Sequence, residues 1–257
     1  MARCELCREQ RPLKKSHLLP KAAYRHVRDS EDEGGGSPLR VNLDCGEAFY
    51  TDKQVDMHLL CGECEQRFSK FGENPVSRLW ATKEKFPLLD KLSRSPEKVV
   101  TTKGFVFYPP TIIDPSELES LFYFGVSVVW RSNCWDWGRK GSPHKFSLGP
   151  YEPKFRNYLL GINEDLEDVK LMLALDTNPD LQGLMAFPYH ARSGQNHFHR
   201  FNVLGLYFDF VIGRAPNDVF NKLCNKLNSK CLITSRDMAT SKPILDLAAE
   251  FQKLDVD

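Results

Sequence analysis

Four cysteines fall into two pairs of identical spacing, Cys4/Cys7 and Cys61/Cys64, each a Cys-x-x-Cys. One tight turn of that spacing presents two thiolates without strain, and two such turns complete a tetrahedral Zn²⁺ site. A redox dithiol is the other chemistry open to this spacing. It normally occurs once, after a strand in a thioredoxin-like pattern, and that context is missing. Ten residues after Cys7 stands His17, in "SHLLP". An imidazole titrates near pH 6.5, so a neutral His17 can act as a general base, or it can serve the fold as a hydrogen-bond donor. Glu65 directly follows the second cysteine pair and Glu73 lies eight residues on. On a helix that is about two turns, which puts both carboxylates on one face. Their hard oxygens suit Mg²⁺ or Mn²⁺. A glutamate directly after the turn also favours a helix N-terminus without any metal.

These residues need elements to hold them. Residues 1–20 read as a knuckle followed by a short strand, and 21–28 as helical. The acidic, glycine-rich stretch 29–38 reads as a loop. Segments 39–43 and 48–52 have strand composition, with "DCGE" as a hairpin turn between them. "MHLLC" (57–61) leads into the second knuckle, and the pattern from 63 to 80 is helical. Residues 85–98 lack a clean period and read as a link. "GFVFYPPTII" (104–113) is a strand broken by prolines. The strongest predicted helix is 114–132, with Asp114 as N-cap, Pro115 at the first position and Glu117 three after the cap. A helix over 152–162, strands over 168–176, 183–192 and 201–213, and helices over 215–227 and 242–254 complete the reading. The expected class is α+β. A zinc-binding unit spans 1–85, and a mixed α+β unit of unassigned role spans 86–257.

The 257 residues, 41% hydrophobic and 27% charged, suffice for a substantial core. The net charge of +1 hides an asymmetry: residues 1–30 carry eight Lys/Arg against three acids. Such a patch suits a polyanion such as nucleic acid, or is a solvated basic face. No apolar run nears the roughly 20 residues of a membrane span, and the N-terminus lacks an apolar signal-peptide core. A cytoplasmic setting keeps thiols reduced and turns the paired cysteines toward metal. Cys45, Cys134, Cys224 and Cys231 are scattered and read as small buried residues. His197 and His199, with His190 near them, could form a second metal site or a substrate contact. Trp130, Trp135 and Trp137, interleaved with cations, suit base stacking or the end of a core helix. A nucleotide-hydrolysing loop is absent.

The order "CELC … SHLLP … LLCGECE" resembles the HNH, or ββα-metal, endonuclease superfamily in its zinc-stapled treble-clef form, over about residues 1–80. The resemblance implies that His17 is the general base. Asp56 stands where the family has an asparagine that orients the base, and Glu65 where it has a metal-binding histidine. Ser16 replaces an Asp or His that often binds the catalytic metal. The implied protein holds structural Zn²⁺ on Cys4, Cys7, Cys61 and Cys64, and Mg²⁺ or Mn²⁺ on Glu65, which Glu73 could join. It would hydrolyse nucleic-acid phosphodiesters, DNA foremost, with Lys14, Lys15, Lys21, Arg67 and Lys70 on the phosphates. Restriction or anti-phage defence is the setting by analogy. The alternative is a non-catalytic zinc module that binds nucleic acid or a protein partner, with the C-terminal unit supplying recognition.

Overall fold

The structure, a computed structural model, describes residues 1–28, 35–42, 47–100, 105–137, 147–193, 196–213 and 219–241, and short stretches at 244–245 and 248–249. Strand β1 (Ala2–Arg3) pairs antiparallel with β2 (Gln10–Arg11) and closes the turn that carries Cys4 and Cys7. Arg8 takes φ 65° in that turn, a left-handed conformation few non-glycine residues adopt. Ion pairs to Glu5 and Glu152 fix its side chain. Strand β3 (Leu13–His17) leads to the one-turn helix α1 (Lys21–Tyr24). Strands β4 (Leu39–Asn42) and β5 (Glu47–Tyr50) form a hairpin, as their composition predicts. Strand β6 (Asp56–Cys61) then returns to β3, with His17 opposite Asp56 and Leu13 opposite Cys61.

Helix α2 (Gly62–Phe68) begins at Cys61 and passes into a π-helical turn, Ser69–Glu73, where Asn74 N bonds Ser69 O, before α3 (Asn74–Val76). The helix predicted over 63–80 is therefore three pieces. Helix α4 (Pro87–Ser93) occupies the stretch read as a link; Pro87 opens it and Leu88 and Leu92, four apart, are buried. Seven residues are too few for a clear period.

The rest is built on one sheet. Its strands are β7 (Val99–Val100), β8 (Val106–Tyr108), β9 (Val169–Asp176), β10 (Met185–Ser193), β11 (Asn196–Val203), β12 (Leu206–Ile212) and β13 (Cys231–Arg236), in the spatial order β10-β11-β12-β9-β13-β8-β7. All neighbours are antiparallel except β13 and β9. The single strand predicted over 201–213 is in fact the end of β11, a turn, and β12. Leu204 (φ 46°) and Gly205 (φ 78°) both take positive φ, the requirement of a tight primed hairpin turn. A Cβ on Gly205 would also lie 2.7 Å from the Phe86 ring. Strand β13 was not foreseen. The helix predicted over 242–254 and Cys45 lie largely or wholly outside the described residues.

Helix α5 (Pro115–Cys134) crosses the sheet, and α6 (Glu152–Leu159) and α7 (Val219–Lys226) follow it in the chain. Asp114 caps α5 by accepting from Ser116 N at 2.8 Å, as predicted. Residues 121–132 of α5 are all buried, so this stretch has no solvent face, while Pro115, Ser116 and Glu119 in its first turns are exposed. Gly125 lets it touch the sheet: a Cβ there would lie 2.5 Å from the Phe210 ring. Phe124 packs on Phe201 and Phe208, whose rings stack at 4.6 Å. On the N-terminal side Phe68 meets Trp130 and Tyr123 edge-on. One buried apolar cluster thus runs from Cys4 through Trp80 to Ile233 and crosses residue 85 without a break. The fold is α+β with a four-cysteine cluster at its N-terminal end.

Candidate functional site

The four predicted cysteines converge. Cys4 and Cys7 come from the β1–β2 turn, Cys61 from the end of β6, and Cys64 from the first turn of α2. Their sulfurs all lie within 4.8 Å of one another. Cys7 Sγ and Cys61 Sγ are 3.9 Å apart, close to the ~3.8 Å edge of a tetrahedron with Zn–S bonds of ~2.3 Å. A Glu5 N to Leu59 O bond of 3.1 Å ties the knuckle to β6. Burial raises the Cys4 thiol, but backbone N–H groups of Cys61, Cys7 and Leu6 outweigh it and hold the group low. Burial and the neighbouring thiols push Cys64 up. Four thiolates cannot ionise together here without a cation, so the site fits a metal ion such as zinc. Among the described residues no other group of three or more His, Cys, Asp or Glu converges this way.

A polar cluster adjoins this staple. His17 ends β3 and is half-buried. Burial lowers its pKa below the ordinary histidine value, with Lys21 assisting. A hydrogen bond with Gln54 and the charges of Asp56 and Glu73 act the other way. Ser16, fully buried, donates its hydroxyl to Glu65 Oε1 in a short hydrogen bond. Burial raises the Glu65 carboxyl, Ser16 and Arg131 oppose that rise, and Glu73 adds to it. Arg131, from α5, is 1% exposed. Its Nη1 donates to the His17 carbonyl at 2.6 Å and its Nη2 lies 2.9 Å from Glu73 Oε1. The π-helical turn matters here. An α-helix completes two turns in about 7.2 residues, so eight residues overshoot. A stretch of i→i+5 bonding turns less per residue and brings Glu73 back toward the Glu65 face.

Other predicted residues take quieter positions. Asp56 lies opposite His17, and its carboxylate pairs with Lys15 at 3.1 Å. Gln54, not foreseen, reaches the imidazole. Lys14 is exposed on β3, and Lys21 opens α1. Trp130 is core and its indole N–H donates to Glu152; Trp137 donates to Ser132 O. These two tryptophans finish a helix rather than face a ligand. Gln54 and Arg131 carried no sequence signal of their own for this site, and Ser16 was marked only as a poor metal ligand; each acquires its role from a residue at least 37 positions away.

Arg67 and Lys70 lie on the outer side of α2 and its π turn. Their charged groups sit 5.6 and 5.3 Å from the ring centre of Phe71, which is 43% exposed. Beside them is a shallow groove of about 400 Å³ lined by Gln66, Ser69, Lys70, Asn74, Pro75 and Arg78. An exposed ring flanked by cations is the surface on which a nucleobase stacks while its phosphate is neutralised.

The three histidines of the sheet also meet. His190 pairs with His199 across β10 and β11, and His190 Nε2 lies 3.0 Å from His197 Nδ1. The two ring centres are 5.2 Å apart, so the nitrogens meet head-on, as in an N–H···N hydrogen bond. Burial, reinforced by the other two imidazoles, lowers His199 to about 3. His199 is therefore neutral in the fold and protonated in the unfolded chain between pH 6.5 and about 3. Stability is full above pH 6.5 and falls as pH drops through that window, because the unfolded state binds the extra proton. Urea melts at pH 7 and pH 4.5 are expected to differ by about 2–3 kcal/mol more in wild type than in His199→Leu. Equal losses would show that His199 is already charged in the fold.

Compared with protein-family models, curated proteins and solved structures, the chain matches none of them. Among the described residues no helix is long and apolar enough to cross a membrane. Fold and site together define an α+β protein whose N-terminal cysteine cluster can hold a metal ion such as zinc.

Proposed function

We propose that this protein is a zinc-stapled phosphodiesterase of HNH-like form that acts on nucleic acid, with His17 as general base. The observation that carries the reading is the gathering of His17, Ser16, Glu65, Glu73 and Arg131 at the point where the stapled hairpin, α2 and α5 meet. Buried charges and shifted pKa values concentrate at functional sites, and π-helical turns recur there. His17 stays neutral at pH 7, the form that accepts a proton from an attacking water. Its strand end is fixed through its own carbonyl, so Arg131 does not occupy the ring, which bonds Gln54. Glu65 and Glu73 would hold Mg²⁺ or Mn²⁺. The donor set fits, because such ions commonly take one or two carboxylates and leave their other positions to water and phosphate. When bound, the ion would supply positive charge to the scissile phosphate and the leaving oxygen. The test is incubation of purified protein with supercoiled plasmid, single-stranded DNA and RNA in Mg²⁺ or Mn²⁺, against His17→Ala.

The exposed Phe71 ring beside Arg67 and Lys70 supports nucleic-acid binding whether or not cleavage follows, and so favours the binding module as second reading. Phe71→Ala is expected to weaken binding of a single-stranded oligonucleotide by about 1–3 kcal/mol. Lys70→Ala should reduce the salt slope of binding by about 0.7 per lost phosphate contact. Binding that ignores both changes would move the partner surface elsewhere.

A further inference from the structure

Arg131 was not among the site residues the sequence pointed to, yet it joins the end of β3 to Glu73 of the π turn. Besides the His17 carbonyl and Glu73, its Nη2 lies 3.5 Å from Ser127 Oγ, and the Phe68 ring centre is 5.4 Å from Cζ. Its Nε is buried without a hydrogen-bond partner among the described residues. A guanidinium does not deprotonate in a protein, so this is a permanent charge. Burying it brings little net stability, because desolvation offsets the pairing, and the spare donor adds a further cost. An apolar side chain would hold α5 against the β3 end at least as well. The placement therefore answers to the charges around it. With Glu65 and Glu73 ionised, Arg131 leaves the cluster at −1. A divalent cation alone would take it to +1, and a phosphodiester would return it to zero.

We propose that Arg131 is a built-in cation and positioning residue of the His17 site, which shares Glu73 with the incoming divalent ion and makes tight ion binding wait for a substrate phosphate. The inference rests on the phosphodiesterase reading, but its test does not need turnover. Zinc-loaded protein is titrated with Mn²⁺ and free Mn²⁺ is followed by electron paramagnetic resonance. The four thiolates keep their zinc, since Mn²⁺ prefers oxygen ligands. Without nucleic acid, Arg131→Gln should bind Mn²⁺ about tenfold more tightly than wild type, because a unit charge near both carboxylates is gone. Arg131→Lys, which keeps the charge, should stay within about twofold of wild type. A residue that only braces the fold would, when removed, loosen Mn²⁺ binding or leave it alone. Either result, or no Mn²⁺ binding by wild type and Gln variant alike, overturns the proposal. If Arg131→Gln loses its zinc, the Lys variant decides, and a shift beyond about tenfold overturns it. Plasmid left intact by a wild type that binds Mn²⁺ as described would sink the phosphodiesterase reading alone.

Discussion

Stripping the metal from the four cysteines is expected to unfold the N-terminal unit, not merely to soften it. A structural Zn²⁺ on thiolates supplies roughly 10–16 kcal/mol of folding free energy at neutral pH, as much as the whole stability of an ordinary domain. Beyond the apolar residues it gives to the shared core, such as Leu6, Leu18, Leu59 and Leu60, little secondary structure holds this region. β1 and β2 are two residues each, α1 is a single turn, and β3 has only β6 as a partner. Without the metal, the buried thiols sit close together with Cys64 neutral, and the turn at Arg8 keeps its left-handed φ with only the Arg8 ion pairs to Glu5 and Glu152 to hold it. Cys61→Ser or Cys64→Ser should therefore lose hydrogen-exchange protection across residues 2–26 and 56–68. The damage should spread to α5, because Phe68 packs on Trp130 and Tyr123. Elemental analysis should find one zinc per chain in wild type. A metal-free protein that melts where the loaded one does would remove the staple from the account.

His17→Ala is expected to abolish cleavage, at least ~100-fold for the loss of a general base, while zinc content and melting temperature stay nearly constant. His17 belongs to neither cysteine pair. The bond from Arg131 goes to its backbone carbonyl, which alanine keeps. The pH profile should identify the base. Burial lowers the His17 pKa, so the rate should rise with pH through a midpoint below 6.5 and then level off, since the neutral ring is the active form. Glu65→Gln should also stop cleavage, and excess Mn²⁺ should partly restore it while never restoring His17→Ala. Zinc loss or unfolding in His17→Ala would make His17 a structural residue and leave the knuckle to stand by itself.

The local rules of the chain were legible where one residue type leaves one choice. Two Cys-x-x-Cys turns announce a four-thiolate site because each presents two thiolates from one short stretch. Asp114 and Pro115 announce the start of α5, because cap geometry is set within one turn. The strand β9 and the β4–β5 hairpin follow from composition of the same short range. Reading failed where two elements share one apolar run. Residues 201–213 are apolar but for Asn202 and Asp209, and the positive φ at Leu204 and Gly205 divides them. A leucine in that conformation gives no warning. Helix α4 was too short for its period to show, and the π turn inside 63–80 has no compositional mark.

The sequence by itself therefore marked the four cysteines and the α+β class, which rest on local spacing and composition, and its resemblance to a known superfamily set His17 at a strand end. Tertiary structure alone decided what surrounds the histidine. Ser16 meets Glu65 across 49 positions, and Arg131 meets the His17 carbonyl across 114. Electrostatic partners are chosen by distance in space, and that distance is set by how α5 packs between the sheet and Phe68. A buried arginine in an aromatic helix looks, along the chain, like the polar end of a core segment. Only when Gly125 lets the helix touch Phe210 and its last turns reach the end of β3 does that arginine become the fixed charge of the site.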